Sequence, residues 1–170
     1  MTKIFLSLGS NIEPMMNLTA AIGLLSELGQ VVAVSSAWQS APVGFTAQPD
    51  FLNAAVLMES DMTPAAIYRD WIRPVEERLH RRRDPLNKNA PRTIDVDLAL
   101  YGCETLDVLG HSIPDPEILT RPFVAFPLAE LDGDFIHPVF QRSLRDIAAS
   151  LPSNDLRQRV DVSLHLEGRQ

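Results

Sequence analysis

Asp95 and Asp97 stand two residues apart in KNAPRTIDVDLAL, residues 88–100, with Arg92 just ahead of them. Val96, Leu98 and Leu100 alternate with Asp95, Asp97 and Ala99, which is the period of a β-strand. Side chains at i and i+2 share a face, so both carboxylates project together and Val96, Leu98 and Leu100 line the opposite side. Two acids held that close repel each other and invite a divalent cation. Mg²⁺, which prefers carboxylate, water and phosphate oxygens, is the natural guest. Arg81, Arg82, Arg83 and Lys88 crowd the preceding loop. Cations beside paired acids point to a polyphosphate bridging metal and arginines. Asp-x-Asp is a short motif, and taken alone it reads equally as a solvated face or as ion-pair partners of the arginines.

The chain around this motif has 170 residues, 45% of them hydrophobic. One domain over residues 1–170 is the expectation, with enough apolar content for a core. A net charge of −7 argues against a general nucleic-acid binder. The cations gather between Arg69 and Arg92, which suits a small anionic ligand. A single cysteine, Cys103, excludes an internal disulfide and a cysteine-based zinc site and fits a cytoplasmic protein. No apolar run reaches the roughly 20 residues of a membrane span. The N-terminus MTKIFLSLGSN reads as a first strand rather than a signal peptide.

In order, Lys3 to Leu8 reads as a strand. Asn17 to Leu28 repeats apolar residues at helical spacing and stops at Gly29. Val31 to Trp38 is a second strand, and Phe51 to Met58 a third, antiparallel to it. Between them SAPVGFTAQPD, residues 40–50, is a loop long enough to be functional. Pro64 opens a second helix, which Pro74 should kink or split. Arg81 to Pro91 is a mobile loop, and the Asp-bearing strand follows. Helices are expected near 124–131 and 143–150, with a loose polar tail after Pro152. This order is the βαββαβ arrangement of an α+β ferredoxin-like fold with a C-terminal helical extension.

Four stretches, FLSLGSN, SAPVG with QPDFLNAAV, PRTIDVDLALYG and TRPFVAFPLAEL, resemble the 6-hydroxymethyl-7,8-dihydropterin pyrophosphokinase family over about residues 1–131. The resemblance implies an enzyme that moves pyrophosphate from ATP to the hydroxymethyl group of a reduced pterin and releases AMP in folate biosynthesis. It implies two Mg²⁺ ions on Asp95 and Asp97, and catalytic Arg81, Arg83 and Arg92. The pterin would lie between Phe51 and Phe123, its edge read by Asn53 and by the backbone of Ser40, Ala41, Pro42, Val43 and Gly44. ATP would meet Arg73, Glu76, Arg81, Arg83, Arg92, Leu98, Ser112, Asp115 and Arg121. The partners implied are these small molecules, without nucleic acid or membrane, on a monomer or weak homo-oligomer. His80, His111, His137 and His165 read as structural or surface residues.

The chain departs from the family pattern in places. His80 stands where a glycine is frequent, Arg73 where a glutamine is frequent, and Pro85 lengthens the arginine loop. Ala90 replaces a glycine, and Asp115 replaces a phosphate-contacting histidine. A pterin-binding protein with degraded ATP chemistry is therefore an alternative. An RNA-binding ferredoxin-like sheet is another, although no RNP1-like aromatic pattern is present. An acid beside a triphosphate weakens binding, so Asp115→His is expected to lower the KM for ATP. An unchanged or higher KM counts against this placement of Asp115.

Overall fold

The computed structural model describes residues 1–166. Strand β1, Thr2–Ser10, leads into helix α1, Pro14–Leu28, which starts on a proline as its first residue. Strands β2, Gln30–Val34, β3, Trp38–Ser40, and β4, Phe51–Ser60, follow. Helix α2, Pro64–Ile67, runs through a π turn at Tyr68–Ile72 into α3, Arg73–Arg78. Strand β5, Asp95–Tyr101, precedes a hairpin of β6, Leu106–Val108, and β7, His111–Ile113. A 3₁₀ turn at Pro116–Leu119, helices α4, Pro122–Leu131, and α5, Leu144–Ala149, and strand β8, Arg157–Gln158, complete the chain.

The main sheet runs β5-β1-β4-β3-β8, with β2 also on β4, and its pairings are antiparallel. Side chains on alternate faces build two cores. Ile4, Leu6 and Leu8 pack with α1, the α2–α3 segment, Val96 and Leu98. Phe5, Ala55 and Leu57 pack with α4, α5 and Leu100 on the other side. Helices thus cover both faces of an antiparallel sheet. Among the described residues no helix is long and apolar enough to cross a membrane.

Three local expectations change and one is met in an unexpected way. The second strand divides at Ser35. Its hydroxyl accepts the Ala55 N–H at 2.8 Å, a ladder bond supplied by a side chain, and the chain carries one extra residue there between Val34↔Val56 and Trp38↔Asn53. On β5 the register with β1 slips, Leu6 facing Leu98 and Phe5 facing Leu100. Ala99 is the extra residue of a bulge, so Leu100 turns to the α4 side instead of staying with Val96 and Leu98. Pro74 splits its helix as expected, and the π turn is the means. Pro74 lacks an N–H to donate, and the Arg73 N–H reaches back five residues to Tyr68 O, which shifts the ladder one residue ahead of it. Gly29 stops α1 in an extended conformation rather than a left-handed one. A Cβ there would lie 2.6 Å from the Trp71 ring, so close packing calls for glycine.

The tail is not loose over its described part. Arg157–Gln158 pairs with β3, the Arg159 N–H donates to Ala37 O at 2.8 Å, and Val162 and Leu164 enter the core. The last four residues lie outside the described residues. Leu164 is 3% exposed, and a buried Leu→Ala change costs about 2–4 kcal/mol. Urea unfolding of Leu164→Ala should show a loss of that size, where a frayed tail would show none.

Candidate active site

The site lies on the α4 face of the sheet, at the end where β1, β4 and β5 present Gly9, Asn53 and Asp95 in register. Asp95 and Asp97 share a face, as the spacing requires, and both line two adjoining cavities. Their electrostatics differ. Asp95 is held from two sides: Arg81 Nη1 donates to Oδ1 at 2.6 Å and Arg92 Nη1 to Oδ2 at 3.2 Å. Asp97 has no ion-pair or hydrogen-bond partner among the described residues. Burial first, then the neighbouring charges of Asp95, Asp115, Glu76 and Glu117, push its carboxyl well above the usual carboxylate range. A buried acid without a cation is what a metal or a charged ligand would relieve.

Arg81 is not a free loop arginine. One of its nitrogens serves Glu76 at 2.8 Å, Ile94 O at 2.9 Å and Asp95, and its side chain is 8% exposed. Burial raises the Glu76 carboxyl, and the Arg81 cation opposes that rise. Arg83 touches the other oxygen of Glu76 at 3.3 Å with its own side chain 73% exposed, so it is the arginine free to move. His80 ahead of them has φ 59, a left-handed backbone that suits the glycine frequent at this position.

Three cavities meet at Asp97. The first, about 160 Å³, is lined by Ser40, Ala41, Val43, Phe51, Asn53, Arg92, Arg121 and Phe123, with Asp95 and Asp97. The second is walled by Arg81, Arg82, Arg83, Lys88 and Arg92. The third is lined by Arg73, Glu76 and Arg83 together with Tyr68, Ile72 and His111. Asn53 is 5% exposed, and its amide nitrogen donates to Trp38 O at 2.9 Å and Ser40 Oγ at 2.8 Å. That fixes the amide and leaves its carbonyl oxygen, close to Gly9, without a hydrogen-bond partner among the described residues. The Arg92 guanidinium stands 5.9 Å over the Phe51 ring.

Other expected residues stand apart. Leu98 is in the core at 2% exposure, so its side chain is closed to a ligand. Ser112 donates to Asp107 Oδ1 at 3.0 Å on the hairpin and lines none of the three cavities. Pro42 faces a separate cavity shared with Pro152 and Leu156. Gly44 has φ 77, and a Cβ there would meet Asn89 Nδ2 at 2.4 Å, so it serves loop packing. Asp115 does not line the cavities either. Its Oδ1 accepts the Glu117 N–H at 2.9 Å and caps the 3₁₀ turn, and burial raises its carboxyl. Glu117, absent from the expected set, lines the first cavity. No short motif marks it.

A polar hub joins the two loops around the site. Asn11 is 4% exposed. It donates to Gln48 Oε1 at 2.8 Å and Pro49 O at 3.1 Å, and accepts the Arg92 N–H at 2.9 Å. Gln48 donates to Phe45 O and Asn89 O, each at 2.6 Å. The loop over 41–50 and the loop that carries Arg92 are therefore bound together. Gln48→Ala removes three hydrogen bonds whose net worth is about 1–2 kcal/mol. Urea unfolding of Gln48→Ala should show a loss of that size, and an unchanged midpoint would mean that this hub does not hold the two loops together.

The model of the family described as 7,8-dihydro-6-hydroxymethylpterin-pyrophosphokinase (HPPK) matches residues 5–133. A 2-amino-4-hydroxy-6-hydroxymethyldihydropteridine pyrophosphokinase of Haemophilus influenzae is 33% identical over 141 residues, 81% of this chain and 86% of that protein. One from Aquifex aeolicus is 29% identical over 92% of this chain and 95% of its own length. Among solved structures, the HPPK-DHPS protein of Plasmodium falciparum matches 88% of this chain with a TM-score of 0.64 at 13% identity. This chain spans about four-tenths of that longer protein (43%), and the likeness concerns the fold. A sheet covered by helices on both faces, paired aspartates at the junction of three cavities, and a pattern match across most of the chain lead to one conclusion: this chain belongs to the 7,8-dihydro-6-hydroxymethylpterin-pyrophosphokinase family.

Proposed function

We propose that the chain transfers the pyrophosphoryl group of ATP to the hydroxymethyl oxygen of 6-hydroxymethyl-7,8-dihydropterin in folate biosynthesis, releasing AMP. The observation that carries this reading is Asp97, a half-buried acid without a cation partner among the described residues, where an aromatic slot and an arginine-lined cavity meet. The pterin ring lies between Phe51 and Phe123, which line one cavity. Stacking on flat rings suits a heteroaromatic, and a few polar groups then fix its edge. Asn53 offers its carbonyl oxygen to a ring N–H, and Ser40 and its neighbours supply backbone groups.

The hydroxymethyl end of the pterin points toward Asp95 and Asp97. Its oxygen attacks the β-phosphorus of ATP as the hydroxyl proton passes to solvent, the bond from that phosphorus to the α-phosphate oxygen breaks, and AMP departs with the electron pair. Such transfer asks the protein for positioning and charge neutralisation more than for covalent chemistry. Arg92, Arg121 and the mobile Arg83 gather around the phosphates, and Arg81 keeps Asp95 and Glu76 in place. Mg²⁺, two ions in this reading, suits Asp97 and the free lone pairs of Asp95, since an oxygen donor set without thiol or imidazole favours a hard cation. When bound it supplies charge neutralisation and polarises phosphate oxygens. The strand order β5-β1-β4-β3 with crossing helices supports a ferredoxin-like βαββαβ core with a C-terminal helical extension. Cys103, the chain's single cysteine, is free and exposed, which suits a cytoplasmic location.

A pterin-binding protein without ATP chemistry rested on Asp115 replacing a histidine. That carboxylate accepts the Glu117 N–H and lines none of the three cavities, so it acts on the phosphate site only through its charge on Asp97. An RNA-reading sheet needs an open aromatic face, and helices cover both faces here.

The test is AMP release from ATP, Mg²⁺ and 6-hydroxymethyl-7,8-dihydropterin, with Asp97→Asn alongside. The variant should lose about a hundredfold or more in kcat, the scale of removing a key charge-stabilising group. It should unfold no earlier than the parent, because an amide relieves the buried repulsion. EDTA should abolish turnover. Undiminished AMP release by Asp97→Asn would overturn the assignment.

A further inference from the structure

Asp95 and Asp97 each face one residue of β1 across the sheet. Gly9 stands opposite Asp95, and Ser7 stands opposite Asp97. Residues directly opposite in an antiparallel pair share a face, with Cβ atoms about 5 Å apart. Asp95 therefore meets a residue without a side chain, and its charge is answered from elsewhere, by Arg81 and Arg92. Asp97 meets a hydroxyl. On its other side Ser7 faces Ala55 of β4, which brings nothing polar to the pair.

The alternation of β1 sets the place of Ser7. Phe5, Ser7 and Gly9 lie on one face. Phe5 is fully buried, its ring centroid 4.9 Å from that of Phe135. Ser7 is half-buried and lines the first cavity together with Gly9. It thus stands where the core under α4 gives way to the site. Ser10, on the opposite face of the strand, donates its hydroxyl to Ile12 O at 3.1 Å. The Ser7 hydroxyl makes no hydrogen bond among the described residues, and neither does the Asp97 carboxylate. A hydroxyl set against a core costs free energy unless it finds a partner. Two polar groups with no such partner face each other across β1 and β5, both open to the first cavity.

The geometry points to Ser7 as a positioning residue for the divalent cation: its hydroxyl accepts a hydrogen bond from a water of the cation's shell while Asp97 supplies a direct oxygen. This rests on the reading of Asp97 as a Mg²⁺ ligand, and deepens it. Mg²⁺ gives up its waters reluctantly and keeps several of them in a protein site. A coordinated water has its oxygen turned to the metal, so its hydrogens need acceptors. Arginine offers none, being a donor only. The oxygens of Asp95 already accept from Arg81 and Arg92. A serine hydroxyl can accept, and Ser7 is the hydroxyl that the register sets beside Asp97. Such outer partners fix the place of a metal, and losing one typically costs about 10–100-fold in metal affinity.

The experiment uses Mn²⁺ in place of Mg²⁺, titrated with α,β-methylene-ATP into the full chain, Ser7→Ala and Ser7→Thr, with free Mn²⁺ read by electron paramagnetic resonance. Ser7→Ala should weaken Mn²⁺ binding about tenfold or more. Ser7→Thr, which keeps the hydroxyl, should hold the parent's affinity. Both variants should unfold in urea at the parent's midpoint. Equal Mn²⁺ affinity of parent and Ser7→Ala would overturn the proposal. So would a loss that Ser7→Thr shares, or one that comes with earlier unfolding. A parent that binds no Mn²⁺ would overturn it together with the metal reading of Asp97. A parent whose Mn²⁺ affinity depends on Ser7 in this way, yet which releases no AMP from ATP and pterin, would sink the pyrophosphokinase reading while sustaining the role of Ser7.

Discussion

Two like charges on one face of β5 set the terms for the whole site. Asp95 is neutralised by Arg81 and Arg92. Asp97 is left buried among further acids. In a low-dielectric surrounding such a charge is costly unless a counter-charge arrives. The folded chain therefore concentrates negative charge at one carboxylate, which a metal or a cationic assembly around a polyphosphate would neutralise. Everything nearby either sharpens it or shields it. Glu76 joins the acids and Arg81 ties them to the α3 helix end.

Rigid elements hold this arrangement. β5 is an edge strand with only β1 as neighbour in the main sheet, yet its acids stay in place because the α4 side of the sheet is packed and because the bulge at Ala99 re-seats the strand beyond them. The bulge lets the acids face the cavity while Leu100 closes the core behind them. Asn11 and Gln48 then join the 41–50 loop to Arg92. The aromatic slot and the phosphate-facing arginine are thus parts of one hydrogen-bonded unit. Binding at one is in mechanical contact with the other.

The C-terminal segment belongs to the same frame. β8 adds to the edge of β3, and Val162 and Leu164 fill the α1-side core. β3 carries Ser40, which the Asn53 amide holds, so the tail supports the strand that supports the slot. A second use of the α4 region follows from the same packing: Glu130 accepts the Ser36 N–H at 2.6 Å and the Trp38 Nε1–H at 3.2 Å, which fastens the junction of β2 and β3 to α4.

Local period determined much of this chain in its sequence. Alternation placed both aspartates on one face, helical spacing found α1, and Pro74 announced the break that the π turn provides. These are properties of neighbouring residues, and neighbouring residues suffice to state them. The motif pattern also led to Phe51, Asn53, Arg92, Arg121 and Phe123, which the fold brings into one cavity. Tertiary structure alone decided the rest. Arg81 and Arg83 look alike in sequence, but one is buried against Glu76 and Asp95 and the other is exposed. Leu98 and Ser112 sit in likely-looking positions, but one is in the core and the other is turned to Asp107. Asp115 reads as a stray charge until its cap appears. His111 reads as a lone surface residue until β7 lays its ring on Tyr68. In each case the deciding partner lies far along the chain or depends on a bulge, a cap or a turn. Burial and charge pairing are set by the space between elements, and that space exists only once the chain has folded.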